Sequence, residues 1–144
     1  PRRIVMGHLN LSAVAEAESW DTKTSNDTHA VVGRLAAAVA ERGHDRMAGA
    51  EGDRLVVLAA ADVDVEQLVA QLRHDLAVAL PSVRSWWGTS TPRHDPLALD
   101  AAFDEAEVSA TIAGRLGVDR ILRFDKLGVV RLLVGGTDAG QMGT

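Results

Sequence analysis

Residues 92–133 carry three signals in a fixed order, and that order restricts the fold more than any other stretch of the chain. A capped helix comes first: Asp95 precedes Pro96, which suits an N-cap followed by proline at the first helical position. The helix runs to about Leu116, placing Leu99, Ala102, Phe103, Ala106, Ala110 and Ala113 on its buried side, and Gly117 stops it. A short apolar strand, Arg120–Phe124, follows. The turn Phe124-Asp125-Lys126-Leu127-Gly128 then leads into a second apolar run over 127–134, which its branched residues would allow as a strand but which the residues alone leave open between helix and strand.

Upstream, residues 3–11 read as a first strand with Val5, Leu9 and Leu11 on one face, interrupted by Gly7. Residues 12–25 read as a loop or a short helix around Ala13–Glu18. A second helix is expected from about Asp27 to Arg42, capped by one of Ser25, Asn26, Asp27 or Thr28 and ended by Gly43. Residues 46–60 form a hairpin: a weaker strand Met47–Ala50, a turn at Glu51-Gly52-Asp53, and a branched apolar strand Arg54–Ala60. The clearest helix is Asp64–Leu80, where Val65, Leu68, Val69, Leu72, Leu76 and Leu80 share a stripe, Asp64 or Asp62 caps it and Pro81 ends it. Val83–Thr89 is a strand carrying Trp86 and Trp87. Residues 135–144, four of them glycine, read as a frayed tail after a domain spanning 1–134. The resulting order, β, α, β-hairpin, α, β, α, β, predicts an α+β, ferredoxin-like sandwich with a mostly antiparallel sheet and helices packed on one face.

Composition bounds the function. The chain has 144 residues and is 47% hydrophobic, enough for one domain with a real core. It has no cysteine, which excludes disulfides and thiolate metal sites. The net charge is −5 and no helix gathers a basic stripe, so this piece is not expected to bind nucleic acid. No apolar run reaches the roughly 20 residues of a membrane span, and no signal peptide opens the chain. A cytoplasmic location with no membrane partner is expected. The first residue is Pro1 and not Met, as in a piece of a longer parent.

The order of signals over 92–133 resembles the GGDEF-like central domain of the PucR/CdaR family of bacterial transcription regulators. The resemblance covers 3–134 and is weak before residue 46. It implies a nucleotidyl-cyclase-like form of the sandwich, and a helical start to 127–134. In active GGDEF domains the signature sits on the turn of the central hairpin, and carboxylates from the first strand and the hairpin hold two divalent cations. Here the turn reads Glu51-Gly52-Asp53-Arg54, with Glu51 replacing the first glycine and Arg54 replacing the acidic residue after Asp53. The first strand offers Gly7, His8, Leu9, Asn10 and Leu11, with no carboxylate. The resemblance therefore implies a catalytically silent domain, with no catalytic residue, metal or cofactor. Its expected role is to transmit a signal or support dimerisation in a regulator whose helix-turn-helix lies elsewhere. The expected partners are the other domains of that regulator, a second copy of the chain and a small-molecule effector. The alternative is an enzyme, a divergent diguanylate-cyclase-like nucleotidyl cyclase.

The remaining residues support plainer readings. Glu51 and Asp53 could hold one cation, but Gly-Asp in a hairpin turn is first a backbone requirement. The five histidines have no ligand spacing. The acidic run Asp104-Glu105-Ala106-Glu107 reads as a solvated helix face. Trp86 and Trp87 are the interface candidates. Adjacent strand residues face opposite sides, so one indole is core and the other meets a partner. Arg84 shares a face with Trp86, which makes Trp86 the outward one.

Overall fold

The computed structural model describes residues 1–43 and 46–127. The elements, in order, are β1 (Arg2–Leu9), α1 (Leu11–Glu18), α2 (Thr22–Glu41), β2 (Arg46–Glu51), β3 (Arg54–Ala60), α3 (Val65–Ala79), β4 (Ser85–Thr89), a 3-10 turn at Pro96–Ala98, α4 (Leu99–Leu116), β5 (Leu122–Arg123) and a second 3-10 turn at Phe124–Lys126. Among the described residues the five strands make one sheet in the order β2-β3-β1-β4-β5. All neighbours are antiparallel except β4 and β5, which run parallel. The expected α+β, mostly antiparallel sandwich is what forms.

The helices cover both faces of the sheet, where the sequence reading put them on one. On one side Val5, Leu9, Leu55, Val57, Ala59 and Trp87 pack against α2 and α3 through Val32, Ala36, Val39, Leu68, Leu72 and Leu76. On the other, Ile4 and Met6 pack against Ala102, Ala106 and Ala110 of α4. The cause lies in the strands. β1 is apolar at consecutive positions Ile4, Val5 and Met6, and β3 at Leu55, Val56, Val57 and Leu58. Strands that are apolar on both parities need cover on both sides.

Two glycines set the depth of this packing. A Cβ on Gly88 would collide with the Ala110 amide and with Ser109, so α4 lies directly on β4. Its buried stripe is correspondingly small: Ala102, Ala106, Ser109, Ala110 and Ala113. Gly7, which reads as an interruption of the first strand, leaves room for the Trp87 ring instead: a Cβ there would lie 2.6 Å from it.

Helix starts follow capping chemistry, not always at the expected residue. Asp64 caps α3 by accepting from the Gln67 amide at 3.1 Å, and Asp95 accepts from Leu97 at 2.9 Å. The second helix, however, begins at Thr22, because Asp21 accepts from the Thr24 amide at 2.7 Å. Thr28, one of the expected caps, lies inside α2 and donates to the Thr24 carbonyl at 2.9 Å. The last strand contracts from the expected Arg120–Phe124 to two residues. Residues 128–144, which include most of the 127–134 run and the whole tail, lie outside the described residues.

Candidate functional site

The hairpin turn occupies Gly52 and Asp53, between the paired residues Glu51 and Arg54. Gly52 has φ +56°, the left-handed conformation that favours glycine. Arg54 lies opposite His8 on β1, and His8 lies opposite Trp86 on β4. Directly opposed residues of antiparallel strands share a face. Arg54, His8 and Trp86 thus form a row across three strands on the α4 side of the sheet.

Glu107 of α4 closes over that row. Its Oε2 lies 3.1 Å from His8 Nε2 and accepts from Arg54 Nη1 at 3.3 Å. A second Arg54 nitrogen reaches Glu51 Oε1 at 3.5 Å, and the guanidinium stacks over Phe103 at 5.6 Å from the ring centre. Burial pushes the Glu107 carboxyl up, but hydrogen bonds and charge from His8 and Arg54 outweigh it. The group is held below its ordinary value.

Asp53, the other acidic residue of the turn, is turned to a structural task. Its Oδ2 accepts from Ser12 Oγ at 2.8 Å and from the Ser12 amide at 3.4 Å, while its carbonyl accepts from the Leu9 amide at 2.7 Å. Asn10 occupies the N-cap position of α1 but makes no cap bond. Its Oδ1 instead accepts from the Arg84 amide at 2.7 Å. Asp53 therefore caps α1 from across the chain, a carboxylate at a helix N-terminus where it is stabilising.

This donor set does not fit the pair of divalent cations that active GGDEF domains hold. Arg54 puts a positive charge beside the turn, β1 contributes His8 and no carboxylate, and Asp53 is bonded to Ser12. Among the described residues no group of three or more histidine and acidic side chains is placed to hold a metal ion. Chemically the site is a charge-compensated brace between the hairpin, the first strand and α4.

The sequence-predicted residues are divided by the structure. Glu51 and Arg54 meet each other, His8 and Glu107; Asp53 points instead to α1. Trp87 is fully buried beneath α2 and α3, which leaves Trp86 as the interface candidate. Trp86 is half-buried on the opposite face, packed against the cluster of Ala113, Leu122 and Leu127, with the Arg84 guanidinium 5.5 Å from its ring. The acidic run is where the reading fell short. Asp104 is exposed, but Glu105 and Glu107 lean onto the sheet on the two sides of the alanine stripe. Glu105 accepts from the Thr91 amide at 3.0 Å and its hydroxyl at 2.7 Å and pairs with Arg93. Glu105 and Glu107 both flank the buried Ala106, but a polar flank carries no mark of the partner that faces it: His8 and Arg54 on the strands, and Arg93 beyond β4.

Two solved structures share the fold. One is the GGDEF domain of DgcB from Caulobacter crescentus in complex with c-di-GMP. It has a TM-score of 0.65 and 13% identity, over 87% of this chain and 78% of that one. The other is the active GGEEF domain of a diguanylate cyclase from Vibrio cholerae, also at 0.65 and 13%, over 85% and 82% of the two chains. No curated protein sequence matches. The GGDEF-like domain matches residues 1–112, which takes in the first strand and the hairpin and ends inside α4. The match takes in the residues before 46 and leaves out 113–133, the second half of the stretch on which the resemblance rests. With well over half its length matched, the chain belongs to the GGDEF-like domain family.

Proposed function

We propose that this is a non-catalytic regulatory domain of a PucR/CdaR-type bacterial transcription regulator. It would act in the cytoplasm, passing a signal or supporting dimerisation between a sensor region and a helix-turn-helix elsewhere in the parent protein. One observation carries the reading. At the hairpin position where cyclases of this fold use a carboxylate, Arg54 stands instead, engaged by Glu107 and Glu51 and facing His8. A guanidinium there repels the cations that a nucleoside triphosphate needs. The half-exposed Trp86, backed by Arg84, offers the contact surface for a second copy or a neighbouring domain.

The test is incubation of the chain with GTP or ATP and Mg²⁺ or Mn²⁺, followed by product analysis. No cyclic mononucleotide or dinucleotide is expected. Clear turnover would overturn the reading in favour of a divergent cyclase. In parallel, the chain at physiological salt should not shift duplex DNA, given its charge of −5. Micromolar, salt-sensitive binding would place the DNA contact in this domain and not elsewhere.

A further inference from the structure

The sheet ends at β2, and that edge is undefended. Among the described residues β2 pairs with β3 alone. Its middle, Met47-Ala48-Gly49-Ala50, carries no charge and no proline, and its register with β3 runs without a bulge. Charges, prolines and bulges are the devices that keep an edge from pairing with another strand.

The direction of its backbone groups follows from the registers. The Leu9 amide donates to the Asp53 carbonyl, so the odd-numbered residues of β1 and β3 bond one another. Alternate residues of an antiparallel strand bond opposite neighbours. Val56 and Leu58 therefore bond towards β2, where they meet Gly49 and Met47. Ala48 and Ala50 turn their N–H and C=O groups the other way, out of the sheet.

The layer beneath is small as well. Helix α2 runs under β2. One of its flanks faces α3, through Leu35 and the bond from Arg42 to Asp75. The other flank, on the outer side, carries His29, Gly33, Ala37 and Ala40 in one stripe. A Cβ on Gly33 would meet nothing within 4 Å, and Ala37 is exposed. Strand and helix end together at this edge, both in small residues.

We propose that a second copy of this chain joins the sheet here, β2 antiparallel to β2 about a two-fold axis at Ala48. A strand pairs symmetrically with its own copy where one residue faces itself. Ala48, with its amide turned outward, meets that condition. It exchanges bonds with Ala48 of the second copy, and Ala50 does so with Arg46 of the second copy. On the α4 side Met47, 66% exposed, then lies opposite Gly49 of the second copy, where a Cβ would meet nothing within 4 Å. An axis at Gly49 would set Met47 against Glu51 instead. Under the strands the two α2 flanks approach through Gly33 and Ala37. A lone extended peptide would complete the ladder and leave that flank open; a second copy fills both layers. The surface is separate from Trp86, which lies on β4 beyond β3 and β1, and pairing there does not depend on the regulatory reading.

The experiment follows sedimentation and amide hydrogen exchange of the chain across protein concentrations. The chain should dimerise, and the Ala48 and Ala50 amides should gain protection as concentration rises. The Met47 and Gly49 amides, bonded to β3, should be protected throughout. Gly49→Lys enters open space in the monomer but opposes Met47 in the dimer, so it should weaken dimerisation about tenfold or more at unchanged Tm. Ala48→Pro removes an outward donor and no bond to β3, and should do the same. A monomer at every concentration would leave the edge to a strand from another protein and overturn the proposal. A dimer whose Ala48 and Ala50 amides exchange as fast as in dilute solution would put the contact elsewhere, at Trp86 for one, and overturn it too. So would dimerisation that survives both substitutions. If neither variant folds, the wild-type amides decide: no concentration-dependent protection sinks it.

Discussion

At Gly7 the first strand passes directly beneath Trp87, whose ring carbons would lie 2.6 and 2.7 Å from an added Cβ. The indole is fully buried, and its Nε1 donates to Ser85 Oγ at 2.9 Å. Trp87→Ala should therefore cost about 3–5 kcal/mol, as for a large aromatic removed from a core. Trp86→Ala should cost less, since that ring is half-exposed, and should alter association of the chain. Urea unfolding and sedimentation of the two variants separate these effects. Equal losses of stability would mean that both rings are core, and unchanged sedimentation for Trp86→Ala would remove it as a contact. The opposite placement of the two rings was legible in the strand's alternation. What alternation does not encode is depth. That Gly7 is a recess for one ring, and that Gly88 admits α4 beside the other, depends on partners distant in sequence.

Helix α4 shows the same division at the level of an element. Its N-terminal signal, Asp95 before Pro96, and its stop at Gly117, with φ +64°, were readable because caps are local chemistry. The start of α2 was not, because Asp21 and the cluster at Ser25–Thr28 all carry suitable oxygens, and packing of Thr28 and Val32 into the core chose between them. The inward lean of Glu105 and Glu107 was illegible for a different reason: a helix flank is polar whether it meets water or a strand's arginine. The Glu107 contact has a pH signature. Its carboxyl is held below its ordinary value in the folded state, so the stabilisation is present above the unfolded value of about 4.3. It is lost as pH falls through the lower, folded value. Wild type and Glu107→Gln should therefore differ in urea stability at neutral pH and converge in acid. Parallel pH profiles for the two proteins would show that the brace to His8 and Arg54 contributes nothing.

For the molecule as a whole, both faces of the sheet are covered and β1 runs through its middle, hydrogen-bonded to β3 on one side and β4 on the other. The hairpin end is joined to this centre twice: Arg54 and Glu107 tie it to α4, and Asp53 ties it to the beginning of α1. The second tie has a kinetic consequence. Because α1 has no cap of its own, its first turn and the hairpin belong to one cooperative opening unit. Amide hydrogen exchange at Leu9 and Ser12 should keep pace with exchange in the turn. Asp53→Ala should accelerate Ser12 more than Leu9, whose acceptor is the Asp53 backbone carbonyl and survives the substitution. Unaltered exchange at Ser12 would show the tie to be idle. With the tie intact, a neighbour that displaces the turn also releases the start of the first helix, so a push at one edge of the sheet is delivered as local melting on the segment that links β1 to α2.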